Sequence, residues 1–424
     1  MIGIGGIGMS ALAQLYLSKG AYVQGSDRAE SPVTELLTTK GIPISIGHDA
    51  AHVSTMTSFV VYSDAVSHDN PERIRARELG LRELSYFEAL GEATIEGTSI
   101  VVSGTHGKTT TTAMLAQILI DAGKEPTVIA GSILSEYGSN FVPGRPDLFV
   151  IEGCEYKRHF LHLHPNILII NNIELDHTDY YHDLDDMQDA FKSAIALVPE
   201  GGTLVTNTDS ETIVPVLDGV EVPIVSYQTT NIPELRAKGS FNRSNAQAAK
   251  TAALAFDPLI DLSQIDASLA SFKGTWRRFE YKGITPHGAL VYDDYAHHPT
   301  AVRGTLEMLR AEFPGKRIVV IFHPHLYSRT KSFFHEFASA LSIADKVFLH
   351  PIYAAREAFD PTVSSELLAE EVVACGGNAQ LVPDFDVAAT LLADVGDDTV
   401  IVTMGAGDVY KLAERLVQEL GIRN

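Results

Sequence analysis

The stretch GTHGKTT (residues 104–110) has the residue types and spacing of a loop that holds phosphate groups. It follows a β-branched run, SIVVS, and precedes an apolar segment of helical period, so a strand, a loop and a helix are predicted in that order. Glycines let backbone N–H groups curl around phosphate oxygens, and the helix start adds partial positive charge. Lys108 can neutralise the β- and γ-phosphates, and the Thr109 hydroxyl can ligate Mg²⁺. Because Val102 stands where the full Walker pattern has glycine, we predict a shorter variant of an ATP site, formed by Gly104, Thr105, His106, Gly107, Lys108, Thr109 and Thr110.

Two polar residues stand where apolar runs end in the segments LFVIEGCEYKRHFL and NNIELDHTDYY. Glu152 and His177 are therefore expected at the carboxyl ends of neighbouring strands, the edge at which α/β sheets bind ligands. Each also has an ordinary alternative: a helix-capping carboxylate for Glu152 and a hydrogen-bonded strand-end imidazole for His177. Together with the phosphate loop, they are candidate ligands of a divalent cation.

The opening residues, MIGIGGIGMSALAQ, contain the G-x-G-x-x-G pattern of a dinucleotide site, followed by a predicted helix over Met9–Ser18. Only two residues precede the first glycine, so the strand that normally leads into such a loop is expected to be frayed or missing. Asp27 lies 19 residues beyond Gly8, near where the pattern places a ribose-binding carboxylate. Taken alone, these residues indicate a dinucleotide-dependent dehydrogenase.

Composition limits the class of protein. The 424 residues carry a formal net charge of −22, which argues against a partner such as nucleic acid or an anionic membrane. No run approaches the roughly 18 apolar residues of a membrane span, and no secretory leader precedes the glycines. The two cysteines, Cys154 and Cys375, lie far apart and suggest no disulfide framework. We expect a cytoplasmic enzyme without membrane insertion.

Apolar runs alternate with segments of helical period, which is typical of an α/β fold with largely parallel sheets. The segment GEATIEG (residues 91–97) is predicted to be a linker. We predict three domains, spanning residues 1–98, 99–273 and 274–424. The strand candidates of the third are ALVYDD, RIVVIFHPH, KVFLHP and TVIVTMGAG.

The segment GTHGKTTTT resembles the phosphate loop of the Mur ligases, ATP-dependent enzymes that join amino acids to UDP-muramyl precursors. Further segments follow in the order of that family's motifs, and the resemblance spans essentially the whole chain. It implies a Rossmann-like N-terminal domain for the UDP substrate, a central P-loop ATPase domain and a Rossmann-like C-terminal domain for the amino acid. Its implied cofactors are ATP and Mg²⁺.

The resemblance also implies roles for the central residues. The family's magnesium ligands correspond to Glu152 and His177, which join Thr109 in the predicted metal site. Position 154 carries no prediction, because the family often reads E-A-D-E where this chain reads EGCE. Lys192, 15 residues after His177, has the spacing of a lysine that other Mur ligases carbamylate, and its alternative is a solvated helix face.

Two further segments are implied to reach the nucleotide. KGSFNRSNAQ resembles the motif G-x-H-N-x-x-N-A, whose asparagines correspond to Asn242 and Asn245, although Phe241 replaces the histidine. The alternative for these asparagines is an N-cap with a second asparagine one turn on. In GTWRRFEYKG, Arg278 corresponds to an arginine expected to contact ATP phosphate when the domains close.

The acceptor motifs lie in the third domain. In VYDDYAHHP, the resemblance assigns Asp294 and His297 to orienting the nucleotide and the acceptor. HPHLYSRT resembles the motif Q-P-H-R-Y-T-R-T of the alanine-adding branch, with His323 replacing glutamine and Leu326 replacing arginine. With one arginine of the motif missing, Arg329 is the residue expected to bind the carboxylate of the amino acid. The predicted amino-acid-binding residues are Tyr295, His325 and Arg329.

The family uses its opening glycine loop for the diphosphate of a UDP-sugar, not for a redox cofactor. The predicted UDP-substrate residues are Gly5, Gly6, Gly8, Asp27, Ser63 and Asn70. The predicted catalytic residues are Lys108, Glu152, His177, Arg278, Asp294 and His297.

The activity implied is ATP-dependent addition of L-alanine to UDP-N-acetylmuramate through an acyl phosphate, by a monomer or weak homodimer, in peptidoglycan precursor synthesis. One alternative is ligation of a murein tripeptide, L-Ala-γ-D-Glu-meso-diaminopimelate, to the same UDP substrate. A dehydrogenase would leave the phosphate loop unexplained. A non-catalytic nucleotide-binding protein is suggested by Phe241, Leu326 and a short central region.

Overall fold

The computed structural model describes residues 1–355 and 357–418. The chain folds into two compact units. The first comprises Met1–Ile173, Met187–Glu234 and Ser244–Lys273, and the second comprises Glu174–Asp186, Leu235–Arg243 and the described residues from Gly274 onward. Within these described ranges, no helix is both long and apolar enough to cross a membrane.

The N-terminal sheet of the first unit is built around a single residue. Its strands are β1 (Gly25–Asp27), β2 (Ile44–Ile46), β3 (Phe59–Tyr62) and β4 (Arg82–Ser85). Ile2 makes parallel bridges to Ser26 and Tyr62, so it joins the parallel pair β1–β2 to the parallel pair β3–β4. The order β2, β1, Ile2, β3, β4 is that of a nucleotide-binding α/β fold. The expected loss of the first strand is thus nearly complete, because its place is held by one bridging residue.

The second sheet of this unit has seven strands. They are β5 (Thr98–Ser103), β6 (Pro126–Leu134), β7 (Ser139–Val142), β8 (Arg145–Glu152), β9 (Ile167–Ile170), β10 (Thr203–Thr206) and β11 (Ile224–Ser226). Their order is β11-β10-β9-β5-β8-β6-β7, and all neighbours are parallel except the pair β6–β7. β5 lies at the centre, and its Ile100, Val101 and Val102 are fully buried. Burial on both faces accounts for the β-branched run before the phosphate loop.

The third sheet belongs to the second unit. Its strands are β12 (Glu280–Ile284), β13 (Leu290–Asp294), β14 (Arg317–Phe322), β15 (Lys346–Leu349), β16 (Ala379–Leu381) and β17 (Thr399–Met404). Their order is β12-β13-β17-β14-β15-β16, with only β12 antiparallel to its neighbour. The core of this unit lies on both faces of β14 and β17.

Helices separate most of the strands along the chain. They are α1 (Ile7–Ser18), α2 (Pro32–Thr39), α3 (Pro71–Glu78), α4 (Tyr86–Thr94), α5 (Lys108–Asp121), α6 (Leu184–Ile195), α7 (Ser240–Phe256), α8 (Leu262–Ser271), α9 (Pro299–Glu312), α10 (Tyr327–Ser332), α11 (Phe334–Leu341), α12 (Ser365–Ala374), α13 (Phe385–Leu392) and α14 (Tyr410–Gln418). Short 3₁₀ segments occupy Ala50–His52, Tyr156–His162 and Val214–Val216.

These elements confirm the predicted α/β class and the strand–loop–helix order around residues 98–121. Two local predictions are wrong. The segment predicted to be a linker, residues 91–97, is helical as far as Thr94, because it continues α4, whose start is fixed by a capping box at Ser85 and Glu88. β8 and β9 are not neighbours, because each pairs with an opposite side of β5.

Gly91 allows the Tyr156–His162 segment to approach α4. A Cβ atom at Gly91 would lie 2.0 Å from the carbonyl oxygen of His162. Gly91→Ala is expected to lower the free energy of unfolding by about 1–3 kcal/mol through overpacking, although alanine favours the helix. Urea denaturation followed by circular dichroism measures this change. Gly396→Ala is the matched control, since its Cβ would approach no atom closer than 3.8 Å; equal midpoints for Gly91→Ala and the wild type would contradict the packing account.

Candidate active site

The phosphate loop joins the end of β5 to the start of α5. Gly107 is the N-terminal flanking residue of α5 and has φ +78°, a left-handed conformation that favours glycine. A Cβ atom there would lie 2.2 Å from the Oδ1 atom of Asn245, so both backbone shape and space require glycine. Asn245 of α7, a predicted ATP-binding residue, therefore lies beside the loop. Its Oδ1 atom also accepts a hydrogen bond from the Thr111 hydroxyl at 3.3 Å.

Lys108 points into its own loop. Its Nζ atom donates to the carbonyl oxygens of Gly104 at 2.6 Å and Thr105 at 3.1 Å. It also lies 2.9 and 2.8 Å from the two carboxylate oxygens of Glu155, a side chain only 1% exposed. Burial alone lowers the pKa of Lys108, but the Glu155 carboxylate outweighs it and holds the pKa above its ordinary value. The ammonium is therefore charged and already ordered within the loop.

Two asparagines that follow β9 hold the loop in shape. Asn172 accepts the N–H of His106 through its Oδ1 at 2.8 Å and the N–H of Thr105 through its carbonyl oxygen at 3.1 Å. The Nδ2 atom of Asn171 donates to the His106 carbonyl oxygen at 3.1 Å and to the Thr111 hydroxyl at 3.0 Å. Because the backbone of a phosphate loop must present its N–H groups in one shape, these bonds preorganise it.

An oxygen pair suited to a cation lies beside the loop. The Thr109 hydroxyl donates to Glu152 Oε1 at 3.0 Å, and Glu152 Oε2 accepts the N–H of Gly131 at 2.6 Å. Carboxylate and hydroxyl oxygens are ligands that Mg²⁺ prefers, and Mg²⁺ commonly takes one or two carboxylates together with substrate phosphates. Thr109 and Glu152 therefore fit the predicted metal role chemically.

The other predicted central residues each have contacts of their own. His177 belongs to the second unit, has φ +53°, and donates its N–H to the Asp176 carboxylate at 2.6 Å. Asn242 donates from Nδ2 to the Lys238 carbonyl oxygen at 2.9 Å, near the start of α7. Lys192 is exposed on α6, which favours its alternative as part of a solvated helix face. The ligand roles of His177 and Asn242 stay predictions.

The opening glycine loop lies against Asp27, whose carboxylate accepts the Gly5 N–H at 2.8 Å. Gly6 precedes α1 and gives it no side-chain cap, and Gly8 in the first turn packs against the ring of Tyr86. A helix start of this kind attracts phosphate groups.

Two predicted substrate residues flank the loop after β3. The hydroxyl of Ser63 accepts the N–H of Ala65 at 3.4 Å. Asn70 is buried and caps α3 by accepting the Glu72 N–H at 2.9 Å. This capping accounts for Asn70 without a ligand, and its substrate role stays a prediction.

In the second unit, the two adjacent arginines have different surroundings. Arg277 is 3% exposed and pairs with Asp293 at 2.8 Å, while its other nitrogens donate to the carbonyl oxygens of Gly405 and Gly407. It is a structural residue. Arg278, the predicted catalytic one, stacks over the Tyr295 ring at 4.9 Å.

The predicted catalytic carboxylate, Asp294, is buried at the end of β13. It accepts a hydrogen bond from the Thr305 hydroxyl at 2.5 Å. Burial raises the pKa of Asp294, against the opposing effects of Thr305 and Arg278. The side chain is therefore fixed between the strand and α9.

Arg329, predicted to hold the amino-acid carboxylate, forms a buried ion pair. Its Nε and Nη2 atoms both lie 2.8 Å from Asp176 Oδ1, and the two side chains are 4% and 3% exposed. Burial would raise the pKa of Asp176, but Arg329 and neighbouring histidines hold it well below its ordinary value. The Nη1 atom faces His325, with 3.3 Å to Nδ1.

His297 lies on the other side of the same carboxylate, with Nε2 3.9 Å from Asp176 Oδ2. Its Nδ1 atom is 2.8 Å from the Tyr295 carbonyl oxygen and so carries the proton. Burial, and then the charge of Arg329, hold the pKa of His297 well below its ordinary value. The imidazole is therefore neutral near pH 7, with Nε2 able to accept a hydrogen bond.

The two departures from the family motif are both buried. His323 packs on Tyr353 with ring centroids 5.6 Å apart, and burial lowers its pKa to about 4. Leu326 has φ +72° and donates its N–H to the Tyr353 carbonyl oxygen at 2.9 Å. His325 stacks on the same tyrosine with centroids 5.5 Å apart. Tyr353, not predicted, thus supports the whole HPHLYSRT segment.

The Asp176–Arg329 pair generates a prediction on stability. Asp176→Asn would leave the arginine buried without its counter-ion and is expected to cost about 3–5 kcal/mol at pH 7. Because the folded-state pKa is depressed, this stabilisation is present above the unfolded pKa of about 4 and is lost as pH falls through the folded value. Urea denaturation at several pH values measures the difference between the two proteins.

The exposed Asp218→Asn is the matched control for this substitution and should shift the denaturation midpoint little. A difference between Asp176→Asn and the wild type that stays constant from pH 7 to the acid range would contradict the ion-pair account.

Comparison with known domain families gives three matches along the chain. They are "Mur ligase family, catalytic domain" over residues 1–97, "Mur ligase middle domain" over residues 102–255 and "Mur ligase, glutamate ligase domain" over residues 277–407. Together they cover most of the 424 residues.

Curated relatives align over nearly the full length. The UDP-N-acetylmuramate–L-alanine ligase of Lachnospira eligens is 39% identical over 449 residues, covering 98% of this chain and 97% of that protein. The ligase of the same name from Clostridium novyi is 38% identical over 448 residues, with coverages of 98% and 96%.

Solved structures give the same picture. The UDP-N-acetylmuramate–alanine ligase of Thermotoga maritima has a TM-score of 0.81 and 29% identity, covering 100% of this chain and 99% of that one. A murein peptide ligase of Psychrobacter arcticus has a TM-score of 0.71 and 25% identity, with coverages of 100% and 98%. The family expected from the sequence is confirmed: the chain belongs to the Mur ligases.

Proposed function

We propose that this protein is an ATP-dependent ligase that joins L-alanine to UDP-N-acetylmuramate. The observation that carries the proposal is the ordered phosphate loop, with Lys108 held by Glu155 and the Thr109–Glu152 oxygen pair beside it. Two relatives that align over nearly the whole chain support the proposal, since the L. eligens and C. novyi proteins are both named UDP-N-acetylmuramate–L-alanine ligase.

The first step is phosphoryl transfer. The lactyl carboxylate of UDP-N-acetylmuramate attacks the γ-phosphate of ATP, the bond to ADP breaks, and an acyl phosphate forms. Such a step needs positioning and charge stabilisation more than covalent help from the protein. The N–H groups of the loop and the ammonium of Lys108 provide both, since negative phosphate oxygens can replace the carbonyl oxygens that Lys108 now contacts.

A magnesium ion belongs to this proposal. Thr109 and Glu152 would hold it, and when bound it would supply charge neutralisation at the β- and γ-phosphates. Glu152 is ready for this role because Gly131 already orients its second oxygen. The predicted second ligand, His177, is carried over from the family motif alone.

The second step is attack by an amine on the acyl phosphate. Arg329 is proposed to hold the carboxylate of L-alanine through its Nη1 side, next to His325 and Tyr353. The alanine ammonium must lose a proton to water before it attacks, and the unprotonated Nε2 atom of His297 can accept a hydrogen bond from the resulting amine and so orient it. The tetrahedral intermediate then collapses to the amide and inorganic phosphate.

The glycine loop before α1 is proposed to hold the diphosphate of the UDP substrate. The helix start and the loop N–H groups suit that anion as well as they suit a dinucleotide. Both nucleotides are cytoplasmic metabolites, so the proposal places the enzyme in the cytoplasm. The predicted monomer or weak homodimer stays a prediction.

Ligation of a murein tripeptide is the alternative within the family. The segment HPHLYSRT favours L-alanine as acceptor, since it resembles the alanine-adding motif. A dehydrogenase leaves unexplained a phosphate loop that Lys108, Asn171 and Asn172 hold in shape.

Lys108→Ala tests the phosphoryl step. Loss of the ammonium is expected to lower kcat by about 10²-fold or more, because the charge that develops on the phosphates is no longer neutralised. Phosphate release is measured with ATP, UDP-N-acetylmuramate and L-alanine, omitting each in turn. Full activity in Lys108→Ala, or phosphate release independent of the muramyl substrate, would contradict the proposal.

Two controls accompany this variant. Lys40→Ala removes the same charge from an exposed position and should leave activity unchanged. Lys108→Ala with Glu155→Gln removes both charges of the buried pair, so it separates lost catalysis from the cost of an unpaired carboxylate. Glycine, L-serine and the murein tripeptide as acceptors in the wild type distinguish the alternatives.

Arg329→Lys tests the amino-acid site. It keeps the positive charge but loses the planar fork, so the KM for L-alanine is expected to rise about tenfold or more, with a smaller change in the KM for ATP. Steady-state kinetics with each substrate varied gives both constants. Arg303→Lys on α9, whose side chain is 42% exposed, is the matched control. An unchanged KM for L-alanine in Arg329→Lys would remove Arg329 from the acceptor site.

A further inference from the structure

The second histidine of the segment VYDDYAHHP, His298, is not among the predicted site residues, yet it is buried and both of its ring nitrogens are bonded. It directly precedes α9, where its Nδ1 atom accepts the N–H of Thr300 at 3.3 Å. A backbone N–H can only donate, so Nδ1 carries no proton and Nε2 carries it. Nε2 then donates to the carbonyl oxygen of Leu175 at 3.1 Å, 123 residues away in the chain. One nitrogen therefore caps a helix, and the other holds a distant carbonyl group.

The Leu175 carbonyl adjoins one member of the buried ion pair. It shares a planar peptide group with the nitrogen of Asp176. The Asp176 carboxylate in turn lies 2.8 Å from both Nε and Nη2 of Arg329. A second bond holds the same stretch of chain, because the Thr300 hydroxyl donates to Glu174 Oε2 at 2.5 Å. The bond from His298 therefore restricts the backbone from which the Asp176 side chain begins.

The imidazole of His298 also touches the arginine side of the pair. The ring of Phe333 meets it edge-on, with centroids 4.8 Å apart and a 68° angle between planes. Phe333 ends α10 and donates its N–H to the Arg329 carbonyl oxygen at 3.1 Å. His298 is thus in contact with a neighbour of Asp176 and with a residue bonded to the backbone of Arg329.

We propose that His298 is a positioning residue for the acceptor site. The bond from its Nε2 to Leu175 aligns Asp176 with Arg329, so that the Nη1 side of the guanidinium stays directed toward His325. A guanidinium binds a carboxylate well only in a narrow range of geometries, so small displacements weaken binding. The capping bond from Thr300 serves the stability of α9 and is a separate role. The inference rests on the proposed function, since it takes Arg329 as the ligand of the amino-acid carboxylate.

Two substitutions separate the roles of the two nitrogens. His298→Asn keeps an acceptor at the place of Nδ1, and so the cap of α9, but is too short to reach Leu175. His298→Gln places an amide near Nε2, so it can donate to Leu175 but loses the cap. In the full-length protein, the KM for L-alanine is expected to rise about tenfold in His298→Asn, with kcat and the KM for ATP changed less than about twofold. His298→Gln should keep the KM for L-alanine near the wild-type value although its melting temperature falls.

Nuclear magnetic resonance gives a readout that does not depend on activity. The ¹⁵N-bound proton at Nε of Arg329 is buried and bonded to Asp176, so its exchange with water is slowed. Its signal is assigned by its loss in Arg329→Lys. The signal should shift in His298→Asn and stay in place in His298→Gln. His335→Asn on α11, whose side chain is 81% exposed, is the matched control and should change neither the signal nor the KM for L-alanine.

His298→Ser also keeps a capping oxygen without the donor, and it replaces the asparagine variant if that variant does not fold. An unchanged KM for L-alanine in the variant that lacks the donor, or an equal rise in it and in His298→Gln, would overturn the inference and leave the proposed function intact. A wild type that releases no phosphate with L-alanine, while the Arg329 signal shifts only in the variant that lacks the donor, would overturn the proposed function and support His298 as the residue that positions Arg329.

Discussion

The buried pair between Lys108 and Glu155 is the interaction on which the central site depends. A buried ammonium at the start of α5 would shift toward its neutral form unless a carboxylate faced it, and both oxygens of Glu155 face Lys108. The same ammonium donates to two carbonyl oxygens of its own loop. Asn171 and Asn172, which follow β9, bind the backbone of the loop at His106. The loop is thus preorganised before any nucleotide arrives.

The second unit repeats this physical arrangement with different residues. Arg329 is held by Asp176, and the positive charge of Arg329 depresses the pKa of that carboxyl. His297 stays neutral because it is buried beside the arginine. One cluster therefore contains a guanidinium that can bind a carboxylate and an imidazole nitrogen that can accept a hydrogen bond from an amine, which suits the proposed amino-acid acceptor.

Sequence reasoning reached the fold class, the family and the phosphate loop, because these depend on local patterns such as SIVVSGTHGKTT. It missed the partners that lie far apart in the chain: Glu155 is 47 residues from Lys108, and Asp176 is 153 residues from Arg329. No local pattern marks such partners. It also placed β8 beside β9, because strand order depends on packing around β5 and not on chain order. The roles assigned to individual site residues remain predictions.

Isotope transfer tests the central claim most directly. If the muramyl carboxylate attacks ATP to form an acyl phosphate, UDP-N-acetylmuramate labelled with ¹⁸O in its lactyl carboxylate must pass one label to inorganic phosphate as the amide forms. Mass spectrometry of the released phosphate reads this out. We predict one ¹⁸O atom in each phosphate released from fully labelled substrate in the presence of L-alanine. Unlabelled phosphate alongside normal product would contradict the account.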